Sequence, residues 1–208
     1  MAKIENKKNN LIKRAWLFFT HRVIKTYLIK AHYLRLNIDP AKVADLMKGF
    51  DLDVKELSYD DFLIGDPNVF KGRKMELYKK RCQDPTYKAY GIIENGRLVY
   101  STWISYYKMG MSIETKPQYL SPNEGYLEDS YCDPIARGRG LHGKMNNYRI
   151  QKIMEAGKTR VIAIVQDGNT PAFKVQQRSG LEEIGTFRHG YLLGMKVNTF
   201  KKEKFEGK

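Results

Sequence analysis

The chain has 208 residues, with 37 Lys/Arg against 23 Asp/Glu, a net charge of +14 at neutral pH and two cysteines. That length suits one globular domain, or one domain with an N-terminal extension. Cys82 and Cys132 are distant and have no CxxC partner, which excludes a disulfide framework and argues against a metal site; they read as reduced, cytosolic thiols.

The charge belongs mainly to the ends. Residues 1–35 hold nine Lys/Arg against one acid (+8) and residues 201–208 hold four Lys against two Glu (+2), leaving +4 for everything between. The expected division is a basic amphipathic helical extension over residues 1–50, a main α/β domain over 51–200 and a basic tail over 201–208. From Leu11 to Leu36 there is no acidic residue, proline or glycine, which predicts a helix. Ile12, Trp16, Phe19, Val23, Tyr27 and Leu34 fall on one side of it, with Arg14, His21, Lys25 and His32 opposite. Such a helix lies on an anionic membrane surface, binds an acidic partner, or packs on its own domain or a second subunit. Its longest apolar run, Ala15 to Phe19, is far short of the roughly 20 residues that span a bilayer. No apolar core ends in a small-residue cleavage site, so the chain is expected in the cytoplasm, with a peripheral membrane contact through residues 11–36 as one option.

Asp39-Pro40 reads as a cap and first-turn proline of a short helix over 40–48. Leu52, Val54 and Leu57 predict a strand, and Asn68 to Cys82 another helix. Tyr87 to Ile93 and Leu98 to Tyr106 flank Glu94-Asn95-Gly96, a strong hairpin signal. Residues 107–124 read as a loop or strand extension.

The stretch from Tyr126 to Met154 carries the chemistry. A strand is expected up to Cys132, ended by Asp133-Pro134. Gly138, Gly140 and Gly143 then allow a tight turn and a close backbone approach. A helix from Leu141 to about Ala156 follows, so its first free N–H groups and dipole make an anion site, most naturally for phosphate. Arg137, Arg139 and Lys144 add positive charge there. Beyond it, Val161 to Val165 predicts a buried parallel strand, Asn169 to Ser179 a helix ended by Gly180, and Glu183 to Arg188 with Tyr191 to Val197 a last strand pair turning at His189-Gly190.

Gly138-x-Gly140-x-x-Gly143 also matches the dinucleotide fingerprint, but six residues separate the strand end at Cys132 from Gly138, and a hairpin precedes it. The better match is Arg137-x-x-Gly140, set between a strand and an amphipathic helix, which resembles the coenzyme A loop of the GNAT N-acetyltransferase superfamily. His142 stands where that pattern has a small residue. Asn169, Ala172, Gly180 and Leu181 resemble the family's later motif, and the resemblance covers roughly residues 52–197. It implies an α/β fold with a central mixed, mostly antiparallel sheet flanked by helices, and acetyl transfer from acetyl-CoA directly to a primary amine. The acceptor would be an amino sugar nucleotide, a small amine or a protein amine. Backbone groups around Tyr131 and Cys132 would hold the donor's pantetheine arm, N–H groups of Gly138, Arg139, Gly140, Leu141, His142 and Gly143 its pyrophosphate, and Asn169 its sulfur end.

Glu128 and Asp129 are adjacent on one strand and so are expected to face opposite ways. Glu128 is the candidate base, with a solvated or amine-orienting carboxylate as the alternative. Many family members carry a tyrosine seven residues after the motif's Asn; here that position is Gln176, which leaves Tyr131, Tyr191 or water as proton donors, and no acid is assigned. His142 reads as a helix-start side chain turned to solvent, and Cys132 as a buried strand residue. Two other readings stay open. One is a basic nucleic-acid- or ribosome-associated binding module, which the lack of a stacking motif disfavours. The other is a coenzyme A-binding domain that has lost turnover. The sequence does not determine the oligomeric state.

Overall fold

The protein is described by a computed structural model over residues 16, 27–109 and 118–202. An eight-stranded sheet organises it, in the order β10-β9-β1-β8-β7-β4-β3-β2. The strands are β1 (Tyr27–Asn37), β2 (Lys55–Glu56), β3 (Tyr87–Glu94), β4 (Arg97–Ser105), β7 (Glu124–Cys132), β8 (Arg160–Gln166), β9 (Glu182–Leu192) and β10 (Met195–Lys202). Only β7 and β8 run parallel; every other neighbouring pair is antiparallel. Two short strands, β5 (Lys108–Met109) and β6 (Gln118–Tyr119), pair separately. The α-helices within residues 27–202 are α1 (Pro40–Leu46), α2 (Gly72–Cys82), α3 (Leu141–Glu155) and α4 (Thr170–Arg178).

Helices cover both faces. Val43 of α1 and Leu141, Met145, Ile150 and Ile153 of α3 pack with Ile92, Ile104, Leu127, Val161 and Ala163 on one side. On the other, Met75 and Tyr78 of α2 join Phe62, Phe70, Tyr87, Ala89 and Trp103. The Phe62 and Trp103 rings stack at 5.4 Å and 3°. Local signals set the punctuation. Asp39 caps α1 by accepting from the Ala41 N–H, with Pro40 in the first turn. Asn95 and Gly96 take φ of 50° and 73° in the β3–β4 turn, the twist a two-residue hairpin demands.

Two expectations are corrected. The predicted helix over 11–36 does not extend over residues 27–36, because Tyr27–Asn37 is β1, hydrogen-bonded to both β8 and β9. A strand covered on both faces shows no polar alternation. Leu34 and Leu36 enter the α3 core while Tyr33 packs with Met109, Tyr126 and Ile162 opposite. The folded sheet therefore draws on residues before the expected boundary at 50/51. Residues 11–26 of that expected helix, apart from Trp16, and residues 203–208 of the tail lie outside the described residues. The second correction is the last hairpin, which turns at Leu193-Gly194 (φ 50° and 79°) and not at His189-Gly190, since β9 stays paired with β1 through Tyr191. Among the described residues no helix is long and apolar enough to cross a membrane.

Leu34 is completely buried. Leu34→Ala should lower the unfolding free energy by about 2–5 kcal/mol in urea denaturation; a strand detached from the core would leave the midpoint unchanged.

Candidate active site

Strands β7 and β8 pair only from Glu124↔Arg160 to Leu127↔Ala163. Beyond that point β7 stays with β4, through Tyr131↔Ser101 and Cys132↔Tyr100, while β8 stays with β1, through Ile164↔Tyr33 to Gln166↔Ala31. The two strands diverge, and the gap opens into a cavity of about 930 Å³. Leu127 to Ser130 line it from β7, Ile164 to Gln166 from β8, and Asn169, Ala172 and Gln176 from the α4 end.

The glycine turn borders a second cavity, of about 440 Å³. Asp133 anchors the turn: fully buried, it accepts from the Ile135 N–H at 3.1 Å and from two nitrogens of Arg97 at 2.7 and 2.9 Å. Gly138 and Gly140 then adopt left-handed φ of 79° and 72°, conformations that a side chain would strain. Among the described residues, no backbone acceptor faces the N–H groups of Gly138 through His142. Gly143 instead sits inside α3 and donates to the Gly140 carbonyl. A Cβ added at Gly138, Gly140 or Gly143 would meet nothing within 4 Å, so the space above this backbone is open.

The charges differ from expectation. Arg139 forms a two-pronged pair with Glu94 at 2.7 and 2.8 Å, and Lys144 binds Asp51 at 2.6 Å. Both are spent on neighbouring carboxylates. Arg137 lines the cavity and donates from Nε to the Cys132 carbonyl at 3.3 Å, which leaves its charge available. Sequence reasoning missed Arg178, which lines the opposite side from the last turn of α4; its place just ahead of Ser179-Gly180 was the available signal.

Of the expected donor-binding residues, Cys132, Arg137, Gly138, Gly140, Leu141, His142 and Gly143 line the smaller cavity and Asn169 the larger, with Arg139 lining neither. Asn169 also caps α4, accepting from the Ala172 N–H at 3.3 Å. Tyr131 lines neither cavity; its hydroxyl reaches Asp66 at 3.5 Å and its ring meets Phe70 edge-on at 5.0 Å. His142 is not turned to solvent. It is the one described residue that lines both cavities, and its Nδ1 bonds the Tyr100 hydroxyl at 2.7 Å. Burial, with the Arg149 charge, pushes its pKa down to about 4, so the ring is neutral.

Glu128 and Asp129 do not face opposite ways. The β4–β7 register shifts so that Asp129 and Ser130 oppose Thr102 alone, and Asp129 takes φ 40°. This is a β-bulge, which breaks the alternation of side chains. Both carboxylates therefore reach Arg81 of α2: Nη2 donates to Glu128 Oε1, and Nη1 lies 3.6 Å from Asp129. The Tyr78 hydroxyl donates to Asp129 at 2.7 Å. Glu128 is buried, its Oε2 has no partner, and it lines the larger cavity. Burial pushes its pKa up to about 7 against the pull of Arg81. A carboxyl titrating there can exchange protons near neutrality. Gln176 is also buried, with Oε1 unpartnered.

The fold aligns with solved structures over most of the chain. A Novosphingobium aromaticivorans protein assigned to the GNAT family aligns at TM-score 0.56 and 12% identity, covering 80% of this chain and 65% of that one. The fold is GNAT-like. A Drosophila protein aligns at TM-score 0.55 and 15% identity, covering 89% of this GNAT-like chain and 59% of its own. A Staphylococcus epidermidis protein of unknown function aligns at TM-score 0.55 and 14% identity, covering 84% and 66%. The chain thus spans about two-thirds or less of these structures' lengths. No protein-family model and no curated protein matches the sequence.

Removing Arg81 would strand the buried Glu128 carboxylate. Because the Glu128 pKa in the fold lies above its ordinary 4.5, stability tied to its neutral form is complete below that value and is lost as pH rises through about 7. Arg81→Met should therefore cost about 3–5 kcal/mol at pH 8 and distinctly less at pH 5, with Arg81→Met/Glu128→Gln recovering most of the loss. Thermal unfolding at the two pH values checks this.

Proposed function

We propose that the protein is an acetyl-CoA-dependent N-acetyltransferase that moves an acetyl group directly to a primary amine. The observation that carries this reading is the divergence of β7 from β8 beside a glycine turn with free N–H groups, two cavities that meet at His142. The smaller cavity suits a pyrophosphate: amides of Gly138 to His142 supply donors, open space lies above the glycines, and Arg137 and Arg178 flank it. The unpaired edge of β7 beyond Leu127 suits an extended amide-bearing arm, which adds to a strand edge through backbone hydrogen bonds.

Glu128 acts as the base in this reading. Its free Oε2 takes a proton from the acceptor's ammonium before attack, or from the amine nitrogen as that nitrogen adds to the thioester carbon, directly or through water, and the C–S bond then breaks. The thiolate leaves and takes its proton from solvent, since Gln176 supplies none. An amino sugar nucleotide, a small amine and a protein amine all satisfy the acceptor chemistry. The basic residues ahead of β1 and after β10 are accessory in this reading. A second reading, coenzyme A binding without turnover, is favoured by Gln176 at the position of the family's tyrosine; release of free thiol over a panel of amines separates the two.

Isothermal titration should show coenzyme A binding that Arg137→Glu weakens at least about 10-fold, the loss of one charge-assisted contact. Lys13→Glu, in the basic N-terminal segment, should leave it unchanged, whereas a purely electrostatic binding module would respond to both. With a suitable amine, kcat/KM should rise with pH through about 7, following Glu128 ionisation. Glu128→Gln should remove that inflection and slow transfer by about 10²–10⁴-fold.

A further inference from the structure

Among the described residues, Arg149 is a fully buried cation with no carboxylate paired to it. It projects from α3 and is 1% exposed. Its three hydrogen-bond acceptors are neutral: the carbonyls of Trp103 and Glu128, at 3.3 and 3.4 Å from Nη1, and Asn146 Oδ1, at 2.9 Å from Nη2. A guanidinium has five N–H donors, so donors are left over, and Nε has no partner. Among the described residues no carboxylate pairs with it; Glu128 turns its own to Arg81. A buried cation in this state is costly unless an anion comes to it.

Its position says where that anion comes from. Arg149 lines the larger cavity together with Leu127, Glu128 and Ser130, at the point where β7 leaves β8. The two carbonyls it holds belong to the residues paired across β4 and β7 beside the bulge, Trp103 and Glu128. It therefore fixes the strand segment that carries the proposed base and borders the same opening.

We propose that Arg149 builds an anion subsite in the strand divergence, which receives a negatively charged oxygen of the transferred acyl group. This rests on the acyltransferase reading of the cleft. Two sources share that chemistry. One is the thioester carbonyl oxygen, which gains the π pair as the amine nitrogen bonds to carbon and returns it as the C–S bond breaks. The other is a terminal carboxylate on a longer acyl group. In both, Arg149 touches the charged oxygen, and its fixed charge lowers the cost of negative charge there.

The test compares wild type, Arg149→Lys and Arg149→Met with acetyl-CoA and succinyl-CoA, reading kcat, KM and coenzyme A affinity separately. The expectation is a kcat loss of about 10²-fold in Arg149→Met, partial rescue in Arg149→Lys, and coenzyme A affinity unchanged. Loss with both donors assigns the oxyanion, and loss confined to succinyl-CoA assigns the carboxylate. Turnover by Arg149→Met equal to wild type with both donors overturns the proposal. Should Arg149→Met fail to fold, infrared spectroscopy of carbonyl-labelled acetyl-CoA and carboxylate-labelled succinyl-CoA on the wild-type protein decides. A thioester or carboxylate band shifted from its position in water supports the subsite, and unshifted bands for both overturn it. A wild-type protein that binds no acyl-CoA at all overturns the acyltransferase reading itself.

Discussion

The structure depends on a backbone constraint in β7. This strand cannot follow β4 and β8 at once beyond Leu127, and it follows β4. The parting of a parallel pair inside a sheet leaves N–H and C=O groups without partners, which a protein interior does not tolerate unless something else takes them. Here a bulge at Asp129–Ser130 absorbs the change of register, and Arg149 takes two of the carbonyls beside it. The opening that remains is the larger cavity. Cofactor arm, base and acceptor all have their places in the proposed reaction because of it.

Charge is arranged around that opening in a consistent way. Acid–base pairs that sit outside the cleft are closed: Arg139 with Glu94, Lys144 with Asp51, Arg97 with Asp133. Inside it the pairs are incomplete. Glu128 is matched by Arg81 on one oxygen only, and Arg149 by neutral acceptors only. Incomplete pairing in a buried site shifts proton affinities and leaves groups poised for a ligand, and it marks functional sites more often than ordinary surface. The tilt of Glu128 toward neutrality follows from burial, the same cause that keeps His142 uncharged.

Much of this was legible in the sequence where the signal is local. Asn95-Gly96 announced its hairpin, Asp39-Pro40 its helix start, and the apolar run from Val161 a buried parallel strand. The glycine turn was visible because Gly138 and Gly140 mark the left-handed positions themselves. What escaped depends on partners far along the chain. Tyr27–Asn37 reads as a helix because both faces of the strand are covered, and only β8 and β9 reveal it. Arg139 looks like a phosphate ligand until Glu94, 45 residues away, is brought beside it. Simple alternation separates Glu128 from Asp129, and the bulge that unites them is a property of the pairing with β4. Arg149, nine residues past Gly140, resembles any helical arginine until its burial is known.

The most direct measurement of the central claim is a titration of isotopically labelled protein with coenzyme A, followed by backbone amide resonances. The account predicts shifts concentrated at Gly138 to His142 and along β7 beyond Leu127, with the basic segment before β1 unaffected. Shifts confined to the basic ends, or none at millimolar coenzyme A, would contradict it.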